Sequence, residues 1–142
     1  LERVTEKGHI QASTSQAGLC PENAYNGQIG MYSRLSSYEW ASITGDKQPY
    51  WEIAFDQPQM VDAVFLYSST VSSRRPIGYN LLINGQWLYT GVPSKEKPGE
   101  ATVVKLEKDT YLSTLRITVQ EWGKAECLGL SDIQLFWERG ER

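Results

Sequence analysis

From Pro49 to Tyr67 the chain alternates apolar and polar positions in two consecutive runs. Trp51, Ile53 and Phe55 alternate with Glu52, Ala54 and Asp56, the period of two shown by a strand with one buried face. Pro58 has no N–H to give to a ladder, so it is predicted to end this strand and open a short connection. Val61, Ala63, Phe65 and Tyr67 then resume the alternation, with Val64 and Leu66 between them. Both faces of this second strand therefore read as buried. Two adjacent strands, the first led by a Trp, predict the centre of an antiparallel β core.

The other elements follow the same logic. Residues 9–14 read as a short first strand. Residues 15–50 hold no long periodic element and are rich in Gly, Ser, Asn and Tyr, with turn signals at Asn26-Gly27 and Thr44-Gly45-Asp46. An irregular stretch of that length inside a compact domain is often functional. Residues 68–76 form a polar loop that carries Arg74 and Arg75. Asn84-Gly85 lies between two apolar-patterned runs, 77–83 and 86–90, which is a strong hairpin signal. After an exposed charged loop at 93–100, strands are expected at 101–106 and 112–120, the latter with Leu115, Ile117 and Val119 on one face. A loop at 121–127 precedes a closing strand at 128–137. No dozen-residue stretch carries a helical apolar stripe. The pattern predicts an all-β antiparallel sandwich or partly closed barrel over residues 9–138, with a linker or frayed start at 1–8 and a tail at 139–142.

Composition narrows the partners. A chain of 142 residues is one domain with room for a sizeable core. The net charge is −3 without a Lys/Arg block, which argues against nucleic acid or an anionic membrane held by electrostatics. No apolar run reaches the length of a membrane span. The chain opens at Leu1-Glu2-Arg3 without a Met or a signal peptide, so it is expected to be part of a longer protein. Cys20 and Cys127 are the only cysteines and lack a zinc spacing. They form a candidate disulfide, which would close a loop of roughly 100 residues and stabilise the fold by about 3–5 kcal/mol. Such a bond would suggest a secreted or periplasmic home.

In order along the chain, a series of landmarks resembles a known domain. They are Ala12-Ser13, the turn Ala24-Tyr-Asn-Gly27, Trp40, Tyr50-Trp51-Glu-Ile-Ala-Phe55 with Pro58, and Tyr79-Asn-Leu-Leu-Ile83 before Trp87. Leu115-Arg116-Ile117 and Gly129-Leu-Ser-Asp-Ile133 complete the series. Together they resemble the discoidin or coagulation factor type C domain, a galactose-binding-like jelly-roll β-sandwich. The phrasing is most similar to bacterial carbohydrate-binding modules appended to glycoside hydrolases. The resemblance implies that the loops gather at one end of the sandwich. It also implies a structural calcium near Asn26 and Asp132. Here the family's turn Asp is Asn26, which loses the charge, and Asp132 replaces a longer Glu, and both changes weaken a calcium site.

Catalytic groups are scarce. His9 is the only histidine and accompanies no nucleophile motif; the carboxylates either alternate with core residues or fall in solvated stretches, so no acid pair stands out. Sugar binding asks for an aromatic face for the C–H side of a pyranose and fixed donors for its hydroxyls. Arg74 and Arg75 supply donor forks, Trp122 supplies an indole, and Tyr32, Arg34 and Tyr38 lie in the irregular region. Each has a plainer reading: Trp122 as a packed loop anchor, one arginine as a solvated charge or the partner of a carboxylate. Trp40 and Trp51 read as core and Trp87 as structural. The expectation is a non-catalytic carbohydrate-binding module of a larger secreted bacterial glycan-degrading enzyme, located outside the cytoplasm, in the periplasm or at the cell surface. Its partners would be carbohydrate and the parent catalytic domain, with neither nucleic acid nor membrane. The alternatives are a sandwich that only packs against its parent, and a discoidin-like protein or phospholipid binder, for which Val71 beside the arginines is the one hint.

Overall fold

The alternation at Trp51, Ile53 and Phe55 does bury one face, and everything else is laid against it. A computed structural model describes residues 2–26, 38–97 and 99–138. The chain folds into two five-stranded antiparallel sheets packed face to face. The first holds β1 (Glu2–Arg3), β10 (Gly129–Trp137), β5 (Ala63–Ser68) and β8 (Ala101–Lys105) in that order, with β3 (Trp40–Ala41) also paired to β10. The second runs β2 (His9–Ala12), β4 (Tyr50–Met60), β9 (Tyr111–Glu121), β6 (Gly78–Ile83) and β7 (Gln86–Pro93). This is a sandwich, so the barrel alternative falls away.

Trp51, Ile53, Leu115, Ile117 and Leu81 from the second sheet meet Val64, Leu66, Ile133 and Leu135 from the first, all fully buried. Trp40 and Trp51 are core residues, as their pattern suggests, and each indole N–H finds an acceptor. Trp40 Nε1 donates to the Thr14 carbonyl at 3.1 Å and Trp51 Nε1 to the Pro21 carbonyl at 2.9 Å, which removes the penalty of burying a polar group. The core face of β5 is Val64 and Leu66. Its other face is largely covered too, because Tyr67 is buried and Phe65 stacks at a tilt on Phe136, 4.6 Å between centroids. The Asn84-Gly85 hairpin turn forms as expected. Both residues have positive φ (52° and 81°), the conformation that matches the twist of the flanking strands.

Two expectations are corrected. Pro58 does not end its strand: β4 continues to Met60, and the pairing with β9 slips between Ala54 and Gln59 instead. A register slip of this kind leaves positions outside the ladder, where a missing N–H costs nothing. Residues 2–8 are not a frayed linker. Glu2 and Arg3 pair with Trp137 and Phe136 of β10, and Val4 is buried in the core. The C-terminal residues 139–142 lie outside the described residues.

Candidate functional site

Strand direction gathers the long loops. β2, β5, β7 and β9 finish at the end of the sandwich where β4, β6, β8 and β10 begin. The segments 38–49, 69–77, 94–97 and 122–128 therefore share that end. Backbone bonds stitch them together: Ile77 N–H donates to the Glu121 carbonyl at 2.9 Å, Ser94 N–H to Ile77 at 3.1 Å, and Glu126 N–H to Ser73 at 2.7 Å. The close approach at Ile77 has a glycine on the other side, since a Cβ on Gly123 would lie 2.6 Å from the Ile77 side chain.

Glu39 is the hub of this end. Its side chain is 1% exposed, and a buried carboxylate must be paired or hydrogen-bonded. Ser69 Oγ donates to Oε1 at 2.5 Å, and Thr70 donates to Oε2 from its N–H at 2.8 Å and its hydroxyl at 2.7 Å. Arg74, on the short 3-10 turn Ser72–Arg74, brings Nη1 to 3.6 Å from Oε1 with its own side chain 19% exposed. Arg75 Nη1 donates to the Ser69 carbonyl at 2.9 Å. Behind this layer Tyr79 donates to Ser68 Oγ at 2.8 Å, and burial pushes its phenol up to about 12. Both guanidinium groups are thus held in fixed positions at the rim. A guanidinium carries five N–H donors in a fixed fork, which suits it to hydroxyl and carboxylate oxygens.

The expected site residues separate into three groups. Arg74 and Arg75 come together at the loop end, and Tyr38, 46% exposed, directly precedes the Glu39 that pairs with Arg74. Tyr32 and Arg34 lie outside the described residues. Trp122 is half-buried and turns to a different surface, a hollow of about 450 Å³ whose lining includes Trp87 and Arg116 but neither Arg74 nor Arg75. Trp87, which the hairpin pattern marks as structural, is 65% exposed.

Glu39 escapes a reading of the sequence because a lone Glu in a polar stretch looks solvated. Its one signal is its place directly before Trp40, a residue whose pattern is that of core. Among the other acids, Glu52 accepts from Gln11 at 2.6 Å and Arg116 at 3.1 Å, and Asp56 pairs with His9 at 3.0 Å on the surface. These acids are engaged in structural pairs rather than set against each other as an acid and a base.

Asp132 on β10 is fully buried, and Gln134 Nε2 donates to it at 3.0 Å. Tyr25, which immediately precedes Asn26, has its phenol raised by burial and feels both the Arg3 cation and the Asp132 charge. Asn26 and Asp132 therefore belong to neighbouring elements. Among the described residues no three His, Cys, Asp or Glu side chains cluster as a metal site. Cys20 and Cys127 are free thiols rather than a disulfide. Cys20 is exposed with its thiol toward Asn23, whereas Cys127 is packed with Leu19 and Ala41 beside Gln16, and burial pushes its thiol up.

Residues 3–136 match the family model described as a domain of unknown function, DUF7402. The chain belongs to the DUF7402 family. No protein of curated function matches it. Among solved structures, this DUF7402 domain is similar to a Streptococcus pneumoniae fucose-binding module, SpX-3, with TM-score 0.74 and 17% identity over 98% of this chain and 100% of that one. It is also similar to the family 32 carbohydrate-binding module of C. perfringens NanJ, in complex with galactose (TM-score 0.70, 12% identity, 90% and 92% covered). A third is the family 32 module of AlyQ, in complex with 4,5-unsaturated mannuronic acid (0.69, 15%, 94% and 100%). At these identities the likeness is one of fold: this domain shares the two-sheet antiparallel β-sandwich of these modules.

Proposed function

We propose that this domain is a non-catalytic carbohydrate-binding module whose sugar site lies at the loop end, on Arg74, Arg75 and Tyr38. The observation that carries the reading is the buried Glu39 carboxylate, which pairs with Arg74 at the loop end where Arg75 is also held, and which an exposed tyrosine directly precedes in the chain. Preorganised donors suit a ligand whose hydroxyls offer many weak contacts, because less side-chain entropy is lost on binding. Structural relatives described as fucose-binding or solved with galactose and an unsaturated uronic acid share the fold. A shallow site with one aromatic and a few hydrogen bonds should bind at about −4 to −6 kcal/mol, in the high micromolar to millimolar range. Its use would be proximity: weak attachment to a polymer raises the effective concentration of whatever is tethered to the module.

The parent would be a secreted or cell-surface glycan-degrading enzyme. β1 and the end of β10 pair with each other at the pole opposite the loops, so a partner attached through either would leave the arginines facing outward. A calcium ion would sit between Asn26 and Asp132 with further oxygens from backbone carbonyls. Calcium is then expected to raise the melting temperature of wild type and not of Asp132→Asn; an unchanged wild-type melt removes the metal.

A glycan panel with wild type, Arg74→Ala and Arg75→Ala tests the sugar reading. Binding by wild type that both variants lose while remaining folded supports it. Monosaccharide binding that both variants retain refutes the site. The phospholipid alternative has one observation in its favour, since Ile77 is 54% exposed at the same end. Vesicles containing an anionic phospholipid therefore belong in the panel, and capture by vesicles with no glycan bound would replace the sugar reading.

A further inference from the structure

The outer face of the second sheet carries a row that no loop-end reading uses. Strand register places Gln11, Glu52, Arg116, Leu82 and Trp87 side by side across all five strands. The row is fixed from one side. Gln11 Nε2 donates to Glu52, Glu52 pairs with Arg116 at 3.1 Å, and the Arg116 guanidinium lies 3.8 Å over the Tyr50 ring. At the other side Trp87 stands exposed on the edge strand β7. Trp122 directly follows the end of β9, past a bulge in the pairing of that strand with β6. Trp87, Trp122, Tyr50, Arg116, Lys47 and Gln48 line one hollow of about 450 Å³, within the roughly 300–1,000 Å³ range of sites that enclose small ligands.

We propose that this hollow is a second glycan site, which takes an extended stretch of polysaccharide several sugars long. Two indoles, one from β7 and one from just past β9, offer stacking faces for pyranose rings, and Arg116, Gln48 and Lys47 offer donors for their hydroxyls. Two indoles, a tyrosine and an arginine lining one hollow offer more contacts than a single sugar engages. Single-stranded nucleic acid also stacks on aromatic residues, but it needs cationic density along the groove. Here the Arg116 charge is matched by Glu52 and the whole chain carries −3, which favours a glycan.

The test is titration of the full domain with soluble cellulose derivative, xylan, galactan, alginate and oligomers of any polymer that binds, with poly(dT) alongside. Trp87→Ala, Trp122→Ala and Arg74→Ala are compared with wild type after melts show that each is folded. The expected result is an affinity that rises with oligomer length and falls about tenfold or more in each Trp variant, with little change in Arg74→Ala. Protection of tryptophan fluorescence from acrylamide by the polymer should also disappear in Trp87→Ala. Length-independent binding, Trp variants that bind polymer like wild type, no polymer bound, or poly(dT) bound in place of glycan each overturns the second site. A loop-end failure would show separately, as monosaccharide binding unaffected by Arg74→Ala.

Discussion

Glu39 holds the loop end together because four groups converge on one buried carboxylate. Glu39→Ala would leave Ser69, Thr70 and Arg74 without their acceptor, and removing one partner of a buried charge pair costs on the order of 3–5 kcal/mol. Urea denaturation should show that loss, with Glu39→Gln in between; a Glu39→Ala midpoint equal to wild type would remove Glu39 as the hub. Asp46 is a second such residue. Desolvation alone would raise its carboxyl, but hydrogen bonds from Thr14, Ser13 and the Gln48 N–H hold it below its ordinary value. A depressed folded-state value contributes stability that is present above the unfolded value, near pH 4, and is lost as pH falls through the folded one. Wild type should therefore lose stability on acidification in a way that Asp46→Asn does not; parallel pH profiles of the two proteins would contradict this.

At the scale of elements, β1 makes the sharpest prediction. Deleting residues 1–7 removes the Glu2–Arg3 pairing and the buried Val4, so the melting temperature should fall by several degrees, as expected for a loss of about 1–3 kcal/mol. An unchanged melt would return these residues to the status of a linker. The strands that were legible in the sequence owe it to their own alternation: β4, β5, β6 and β9 each show it, and the Asn84-Gly85 turn has a chemical signature. β1 has only Glu2 and Arg3, with no pattern of its own, and exists because β10 offers an edge. The passage of β4 through Pro58 depends on a slip in pairing with β9, a property of two strands rather than one. Trp87 follows the same rule, since its exposure comes from being on the outward face of an edge strand. Arg74, Arg75 and Tyr38 could be named from loop composition, whereas the acid that fixes Arg74 and the turning of Trp122 toward the sheet face depend on tertiary packing.

For the whole molecule, two surfaces of different chemistry are offered at once: a rim of fixed guanidinium groups at the loop end, and an aromatic hollow on the outer face of the second sheet. In the proposed reading the first takes one sugar and the second a chain, and β1 and the end of β10 lie away from the rim. A domain that served only to pack on a neighbour would do so with the outer face of the first sheet, where Phe65 stacks on Phe136. A domain that only packed there would have no use for a preorganised rim. The decisive measurement is an NMR titration of the isotope-labelled domain with fucose, galactose and a uronic acid oligomer. Binding at the loop end predicts that at least one of these shifts the signals of Tyr38, Thr70, Arg74 and Arg75, and that Arg74→Ala abolishes the shifts. If sugar binds and those signals stay still, or if Arg74→Ala leaves the shifts intact, the loop end is not the sugar site.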